Sequence, residues 1–420
     1  MSIKHRLIFM NFLQYFIWGA WLISFGSYVG NSLKFDGVQI GSFFATMGIA
    51  SLFMPGLMGI IADRWVSAEK LLGICHIIGS GLLIAASFQT EYMPLYTCML
   101  LSVMFYMPTL ALSNSVAYNA LEKEGLDIVK DFPPIRVWGT IGFIAAMWTV
   151  DFSGFKYSEM QLILSAGAAL ALGLYAFTLP PCGTNKNTGS ALADSLGLRA
   201  FTLFKDKKMA IFFIFSMLLG AALQITNGFG DFFLSSFANI PEYATSFGVK
   251  HSVVLLSMSQ ISEVVFILTI PFFLKRFGIK NVMLISMLAW VVRFGLFGVG
   301  NPGSGLWMLL LSNIVYGMAF DFFNISGSLY VEENTKSTIR ASAQGVFMIM
   351  TNGIGAIAGS YAAGYVINYH THLEEVAGAM VKVTHWPEAW FTFAAYMVVV
   401  AILFAIIFNY KHEPEVALKK

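Results

Sequence analysis

The sequence predicts an all-α membrane protein with twelve transmembrane helices. Hydrophobic residues make up 57% of the 420 residues and charged residues only 11%, and the mean hydropathy is +0.71. A soluble domain is about 25% charged, so a chain this apolar could not cover its core in water. The apolar residues also fall into runs of about 20, the length that crosses a hydrocarbon core.

Twelve such runs follow one another along the chain. The first, Leu7 to Val29, is too long for the apolar region of a signal peptide and shows no convincing small-residue cleavage site. We therefore interpret it as the first spanning helix. The runs are centred near Trp18, Ala50, Ile78, Phe105, Ile144, Ala169, Met217, Phe266, Ala289, Val315, Gly353 and Val399.

The distribution of basic residues predicts the orientation of these helices. An even number of spans places both termini on one side, and most of the 25 lysines and arginines fall in loops on that side. The opposite loops carry only Lys34, Lys156, Lys250 and Lys382. By the positive-inside rule we expect both termini in the cytoplasm. A miscounted helix would have scrambled this alternation, so the asymmetry also supports twelve spans.

The longest internal polar stretch divides the chain into two halves of six helices. It contains Gly183 to Ser190, a typical flexible linker sequence. We expect an N-terminal six-helix bundle at 1–180, a cytoplasmic linker at 181–208, and a C-terminal six-helix bundle at 209–420. Two such halves around a site at the membrane midplane are typical of alternating-access transporters.

Polar and aromatic residues recur at helical spacing inside four of the apolar runs. Span five carries a set at i, i+4 and i+7, spans seven and eight each carry a pair at i and i+3, and span ten combines aromatic residues with a carboxylate. We expect these faces to line a central cavity and bind substrate. The residues are Arg136, Thr140, Phe143, Gln224, Asn227, Gln260, Glu263, Tyr316, Phe320 and Asp321.

These residue types suit a nucleoside. Amides offer paired donors and acceptors to base edges and ribose hydroxyls, and aromatic rings stack on bases at about 1–3 kcal/mol each in nucleic-acid systems. The amides also have a purely structural interpretation, because amide hydrogen bonds join membrane helices at about 0.6 kcal/mol per bond. A sugar site would likewise use amides and one aromatic ring.

Asp321 and Glu263 are the predicted proton carriers. A carboxylate at mid-membrane costs about 2.5–3.5 kcal/mol on insertion scales, so ionisable residues there are functional candidates. Three other charged or titratable residues have less definite roles. Arg293 is interpreted as structural or as extending to the cytoplasm, and His76 as a packed residue of the helix bundle. Asp231 is either a gate or a solvated helix end.

The sequence lacks the motifs that would indicate other classes of function. No GxxxxGK[ST] loop indicates use of ATP, and no HExxH, GxSxG or His-rich cluster indicates a membrane enzyme. Cys75, Cys98 and Cys182 are far apart and form neither a disulfide framework nor a metal motif. We therefore expect no enzyme activity, no cofactor, no metal and no nucleic acid partner.

The chain resembles the nucleoside:proton symporter family of the major facilitator superfamily. The resemblance covers nearly the whole chain. It is carried by Asp131 to Phe143, Gln224 to Asn227, Ser259 to Glu263, Tyr316 to Gly327, and Ile339 to Gly345. It implies the major facilitator fold and symport of purine and pyrimidine nucleosides with a proton across the bacterial inner membrane. It also implies substrate-binding roles for the ten residues named above.

The predicted gating residues are Asp63, Arg64 and Arg276. The superfamily loop after span two keeps Gly59, Asp63 and Arg64 here, but Val66 replaces its second glycine and the following basic pair is missing. In the second half, Lys275 replaces the expected aspartate. With these departures, the sequence does not predict how tightly the inward gate closes.

Alternative functions are a transporter of another polar solute, such as a sugar or xanthosine only, and a sensor that binds without translocating. We expect a monomer in the lipid bilayer.

Overall fold

The computed structural model describes residues 2–183, 198–336, 339–376 and 379–410. The chain separates into two compact units. Unit 1 comprises Met1–Phe35 and Ser42–Leu196, and unit 2 comprises Asp36–Gly41 and Gly197–Lys420. Within the predicted linker, residues 184–197 lie outside the described residues.

The described part of unit 1 contains six long helices, the second of which has its first five residues in unit 2. They are α1 (Ile3–Gly19), α2 (Gly37–Arg64), α3 (Ala68–Ser87), α4 (Tyr92–Lys123), α5 (Ile128–Phe152) and α6 (Met160–Ala176). Between α1 and α2 the chain passes through a short helix, Phe25–Ser27, and a π-helical turn, Tyr28–Ser32. A 3-10 turn, Phe155–Tyr157, precedes α6.

Helix α1 packs against α5 and α6 within unit 1. Two glycines allow the close approach to α5, since a Cβ on Gly19 would collide with the Phe143 backbone and a Cβ on Gly142 with the Phe12 backbone. Membrane helices use small residues in this way because lipid provides no hydrophobic drive for helix association. The result is that the α5 segment around Phe143 lies directly against α1.

Helix α5 begins at Ile128, ahead of Pro133-Pro134, so that both prolines lie inside the helix. Asp131 explains the earlier start, since its carboxylate accepts the Asp127 backbone N–H at 3.1 Å and pairs with the Lys4 ammonium at 2.8 Å. These contacts stabilise a turn ahead of the prolines.

The described part of unit 2 contains helices α7 (Lys207–Ser236), α8 (Ser252–Val299), α9 (Leu306–Asn334), α10 (Arg340–Met348), α11 (Ala356–Tyr369) and α12 (Trp386–Ile407). A π-helical segment, Ile349–Gly355, joins α10 to α11. Shorter elements are 3-10 turns at Leu198–Lys205 and Phe237–Asn239 and a helix at Phe247–Lys250.

Helix α8 is 48 residues long, about twice the length that crosses a membrane. Its backbone leaves helical geometry at Gly278, where φ is 76° and ψ is 166°, a conformation that favours glycine. The segments before and after this bend, 252–277 and 279–299, coincide with the eighth and ninth predicted runs. The bend therefore replaces the loop expected between them.

The described helices account for the twelve predicted crossings. Eight of them are long and apolar enough to cross a membrane by length and composition alone, with α8 counted once and α10 joined to α11. The second part of α8 adds one crossing. Helices α1, α5 and α6, which are shorter or less apolar, add three. Each predicted centre lies within one of these helical segments.

A β-hairpin is the one element type in the described residues that the all-α prediction omits. Strand β1 (Thr371–Val376) pairs antiparallel with β2 (Ala379–Thr384), with Thr371 opposite Thr384. The two threonine hydroxyls lie 2.8 Å apart, and the imidazole of His385 contacts the Glu374 carboxylate at 2.6 Å. The hairpin joins α11 to α12.

Candidate functional site

Three of the ten predicted site residues lie on α5 in unit 1. The Arg136 guanidinium carbon lies 4.0 Å from the ring centre of Tyr15 on α1, a cation–π contact. Gly139 makes room for this pair, because a Cβ there would lie 2.5 Å from the Tyr15 ring and 2.8 Å from the Arg136 guanidinium. Thr140 is partly buried.

Phe143 continues this face as a buried aromatic ring. It meets Trp18 edge-on, with ring centres 6.3 Å apart, and Trp18 in turn contacts Tyr106 at 5.7 Å. The indole N–H of Trp18 has no hydrogen-bond partner among the described residues. Unit 1 therefore presents a cation, aromatic rings and a free indole donor along α1 and α5.

A buried hydrogen-bond network adjoins this face of α1. The Gln14 amide donates to the Thr109 hydroxyl at 2.7 Å, and its carbonyl oxygen lies 2.9 Å from His76 Nε2. The Tyr106 hydroxyl donates to the Gln14 backbone carbonyl at 2.7 Å. His76 is only 2% exposed, as expected of a packed histidine in a helix bundle.

The other seven predicted site residues lie in unit 2, and five of them lie close together. The rings of Tyr316 and Phe320 on α9 stack with centres 5.9 Å apart and planes 9° apart. Tyr316 hydrogen-bonds the Gln260 side chain and lies within electrostatic range of Glu263 and Asp321. The first part of α8 and the middle of α9 thus bring an aromatic stack, an amide and two carboxyls to one place.

Asp321 is 4% exposed, and its Oδ2 has no hydrogen-bond partner among the described residues. The Glu263 carboxyl lies within electrostatic range of it. Two ionisable carboxyls inside apolar helices, next to an aromatic stack, are candidates for a functional role.

The amides of α7 complete the predicted set. Gln224 is 7% exposed, and its Oε1 is unpartnered in the described part of the chain, while Asn227 is partly buried. A pocket begins one residue away, at Leu223. It is lined by Leu219, Gly220, Leu223, Trp290, Ala319, Phe320, Phe323, Asn324, Thr351 and Asn352.

Several residues at these places were not predicted as site residues. Tyr15, Trp18, Trp290 and Asn352 look like ordinary membrane-helix residues in the sequence, and only the packing of neighbouring helices brings them to the predicted ones. Asn324, which follows Asp321 by three residues on α9 and lines the pocket, was not predicted either. The i, i+3 spacing of Tyr15 and Trp18 on α1 is the signal that was available.

Two open interpretations are resolved by burial. Arg293 is 2% exposed and does not extend to the cytoplasm, because its guanidinium hydrogen-bonds the Ser312 carbonyl at 2.7 Å. Asp231 is 1% exposed and accepts the Ser252 hydroxyl at 2.5 Å, so it is not a solvated helix end.

Of the predicted gating residues, one lies at the end of a helix and one beside the bend of α8. Arg64 is the last residue of α2, and Arg276 is an exposed residue two positions before the bend of α8. The side chain of Asp63 lies outside the described residues. Among the side chains that are described, no group of three or more His, Cys, Asp or Glu could hold a metal ion.

Known proteins match this chain over nearly its whole length. A family model described as nucleoside H+ symporter matches residues 1–413. Xanthosine permease of Escherichia coli (strain K12) is 53% identical over 418 residues, covering 99% of this chain and 98% of that protein. Nucleoside permease NupG of the same organism is 51% identical over 414 residues, covering 98% and 97%.

Solved structures agree in fold. The crystal structure of nucleoside transporter NupG has a TM-score of 0.91 at 51% identity, covering 98% of this chain and all of that one. A point variant of the same transporter has a TM-score of 0.93 at 50% identity, covering 97% of this chain. Structures of peptide transporters of the POT family, such as one at 14% identity and TM-score 0.68, share the fold alone.

These matches confirm the predicted family and the predicted major facilitator fold. They also establish a multi-pass membrane transporter rather than an enzyme. The chain belongs to the nucleoside H+ symporter family.

Proposed function

We propose that this protein imports nucleosides together with protons across the bacterial inner membrane by alternating access, with both termini in the cytoplasm. It accepts purine and pyrimidine nucleosides and works as a monomer in the lipid bilayer. The division at 1–180, 181–208 and 209–420 separates the two bundles that move. The orientation is supported by the basic residues of the loops.

The single observation that carries this proposal is the acid pair beside the aromatic stack in unit 2. Asp321 has an unpartnered Oδ2, lies near Glu263, and follows Phe320 directly in the chain. A site that exchanges one proton thus adjoins flat rings suited to a nucleobase. Protonation and substrate binding can influence each other over this short distance.

The energetics fit a proton-driven importer. One charge moving down 100 mV releases about 2.3 kcal/mol. At about 1.4 kcal/mol per tenfold, one proton supports a nucleoside gradient of roughly 40-fold before any pH gradient is added. We assign this proton to Asp321 and Glu263.

We assign substrate contacts to the polar faces of both units. In unit 2 these are Gln224, Asn227, Gln260, Tyr316 and Phe320, with the carboxyls of Glu263 and Asp321. In unit 1 they are Arg136, Thr140 and Phe143. The gate at the cytoplasmic side is assigned to Asp63, Arg64 and Arg276 from the superfamily pattern of their loops.

A transporter restricted to xanthosine is the second candidate. One relative, at 53% identity, is a xanthosine permease, and the nucleoside permease is almost as similar, at 51% identity. Competition of labelled uridine uptake separates the two. Adenosine and xanthosine should both compete in the broad transporter. Failure of uridine uptake alongside transport of labelled xanthosine would favour the narrow one.

The direct test uses proteoliposomes holding only this protein and an internal pH dye. Uridine or adenosine added outside should acidify the interior, and free ribose should not. Nucleoside uptake without proton movement would contradict symport. Binding without uptake would indicate a sensor, and an equal response to ribose would indicate a sugar transporter.

A further inference from the structure

Arg293 is a buried cation that the proposed transport cycle does not yet use. It lies in the second part of α8, is 2% exposed, and is among the largest fully buried side chains of the chain. A charged residue inside a membrane span is costly and marks a functional candidate. Groups on the neighbouring helical segments compensate its charge.

Hydrogen bonds join Arg293 to the two neighbouring helical segments. Its Nη1 donates to the Ser312 backbone carbonyl of α9 at 2.7 Å and approaches the Ser259 hydroxyl of the first part of α8 at 3.5 Å. The Ser312 hydroxyl donates back to the Arg293 carbonyl at 3.0 Å. Ser312 precedes Tyr316 by one helical turn, so the bond from the guanidinium to the Ser312 carbonyl fixes α9 just before the aromatic stack.

The guanidinium also lies over the ring of Tyr316 itself, 4.7 Å from its centre, and 5.1 Å from the centre of Phe297. Trp290, one turn before Arg293, contacts Tyr316 edge-on at 6.0 Å. The cation–π contact, the backbone bond and this edge contact together restrict how the Tyr316 ring is oriented. Tyr316 in turn stacks on Phe320.

We propose that Arg293 is a positioning residue for substrate binding, which holds the Tyr316–Phe320 stack in the orientation that receives a nucleobase. The inference rests on the proposed function. Arg293 acts through Tyr316 and does not itself touch the substrate. Its charge is compensated within unit 2 by the Ser312 carbonyl and by the two aromatic faces of Tyr316 and Phe297.

Three variants measured for uridine uptake test this role. R293M keeps the length of the side chain but removes its charge, and R293K keeps the charge but not the flat guanidinium. S312A removes only the hydroxyl bond in the same interface, since the Ser312 backbone carbonyl that accepts from Arg293 remains. Initial uptake rates give KM and Vmax for each reconstituted variant.

A positioning role predicts a graded change in KM. We expect R293M to raise KM about tenfold and R293K about threefold, a range consistent with losing one cation–π contact. Vmax should stay within about twofold, and S312A should match the wild type.

A KM in R293K equal to that of the wild type would contradict the proposal, and this comparison decides the question even if R293M does not fold. Equal losses of Vmax in R293M and R293K, with unchanged KM, would indicate a purely structural arginine and would also overturn it. Failure of the proposed function would instead appear as absence of uridine transport by the wild type.

Discussion

At the scale of single residues, the two arginines of the predicted spans show how a membrane protein keeps a permanent charge in an apolar helix. Arg136 lies over Tyr15 at 4.0 Å and Arg293 over Tyr316 at 4.7 Å. Both cations thus use the negative face of an aromatic ring. The sequence indicated the importance of Arg136, but neither tyrosine partner could be identified because each lies on another helical segment.

Cys182, at the start of the linker, is a residue whose chemistry follows from its surroundings outside the membrane. Its backbone N–H donates to the Glu69 carboxylate at 2.9 Å, and Glu69 is 2% exposed. Burial, followed by the charge of Glu69, raises the pKa of the Cys182 thiol to about 11. Because only the thiolate reacts with alkylating reagents, the thiol should be sluggish at neutral pH.

We expect a variant with Cys182 as its one cysteine, C75A/C98A, to react with iodoacetamide roughly a hundredfold more slowly at pH 7.5 than the same thiol in the SDS-denatured chain. The rate should rise tenfold per pH unit up to about pH 10. E69Q should speed it several-fold, because the repelling charge is lost while burial remains. A rate that levels off near pH 8.5 in the folded protein would show that the pKa of the Cys182 thiol is not raised.

At the scale of helices, the contact between α8 and α9 determines the geometry of the acid pair. Gly317 on α9 faces the backbone of Ser262 and Glu263, where an added Cβ would lie 2.6 Å from the Ser262 carbonyl oxygen and 2.8 Å from the Glu263 nitrogen. Neither backbone atom can move without shifting α8. This glycine therefore brings Glu263 close to Tyr316 and Asp321.

Gly317→Ala should destabilise the protein by about 1–3 kcal/mol, the usual cost of overpacking, and should weaken uridine binding by displacing Glu263. Thermal unfolding in detergent and uridine KM measure the two effects. Gly295→Ala is the matched control on α8, because its added Cβ meets no atom within 4 Å. Equal melting temperatures for the two variants would show that the α8–α9 contact does not depend on Gly317.

Helical spans were predictable because a long apolar run has no other solution in a bilayer. The local departures from regular helices could not be predicted. The hairpin at Thr371–Thr384 lies between spans, where no membrane imposes helices, and the early start of α5 depends on the Lys4–Asp131 ion pair. The bend of α8 requires positive φ at Gly278, which a sequence containing 38 glycines does not single out.

At the scale of the whole molecule, each unit carries its own part of the predicted site. Helical spacing identified Arg136 and Phe143 in unit 1 and Gln260, Glu263 and Asp321 in unit 2, since polar residues stand out in apolar runs. Spacing could not identify partners on neighbouring helices, such as Trp18 beside Phe143 or Trp290 beside Tyr316. Substrate-binding roles for the ten predicted residues stay predictions.

We propose above all that a buried carboxyl beside the aromatic stack couples nucleoside movement to a proton. Replacing Asp321 by Asn keeps the shape and the hydrogen-bonding capacity but removes the exchangeable proton. Asp131→Asn is the matched control, since Asp131 lies at the start of α5, ahead of the apolar part of the span, and pairs with Lys4.

Uridine accumulation and uridine exchange, measured in the same proteoliposomes at an imposed potential of about 100 mV, separate proton coupling from substrate binding. Wild type and D131N should concentrate uridine toward the limit of about 40-fold set by one proton. D321N should still exchange labelled for unlabelled uridine but reach no more than equal concentrations on the two sides. Accumulation of uridine by D321N, with normal proton entry, would contradict the account.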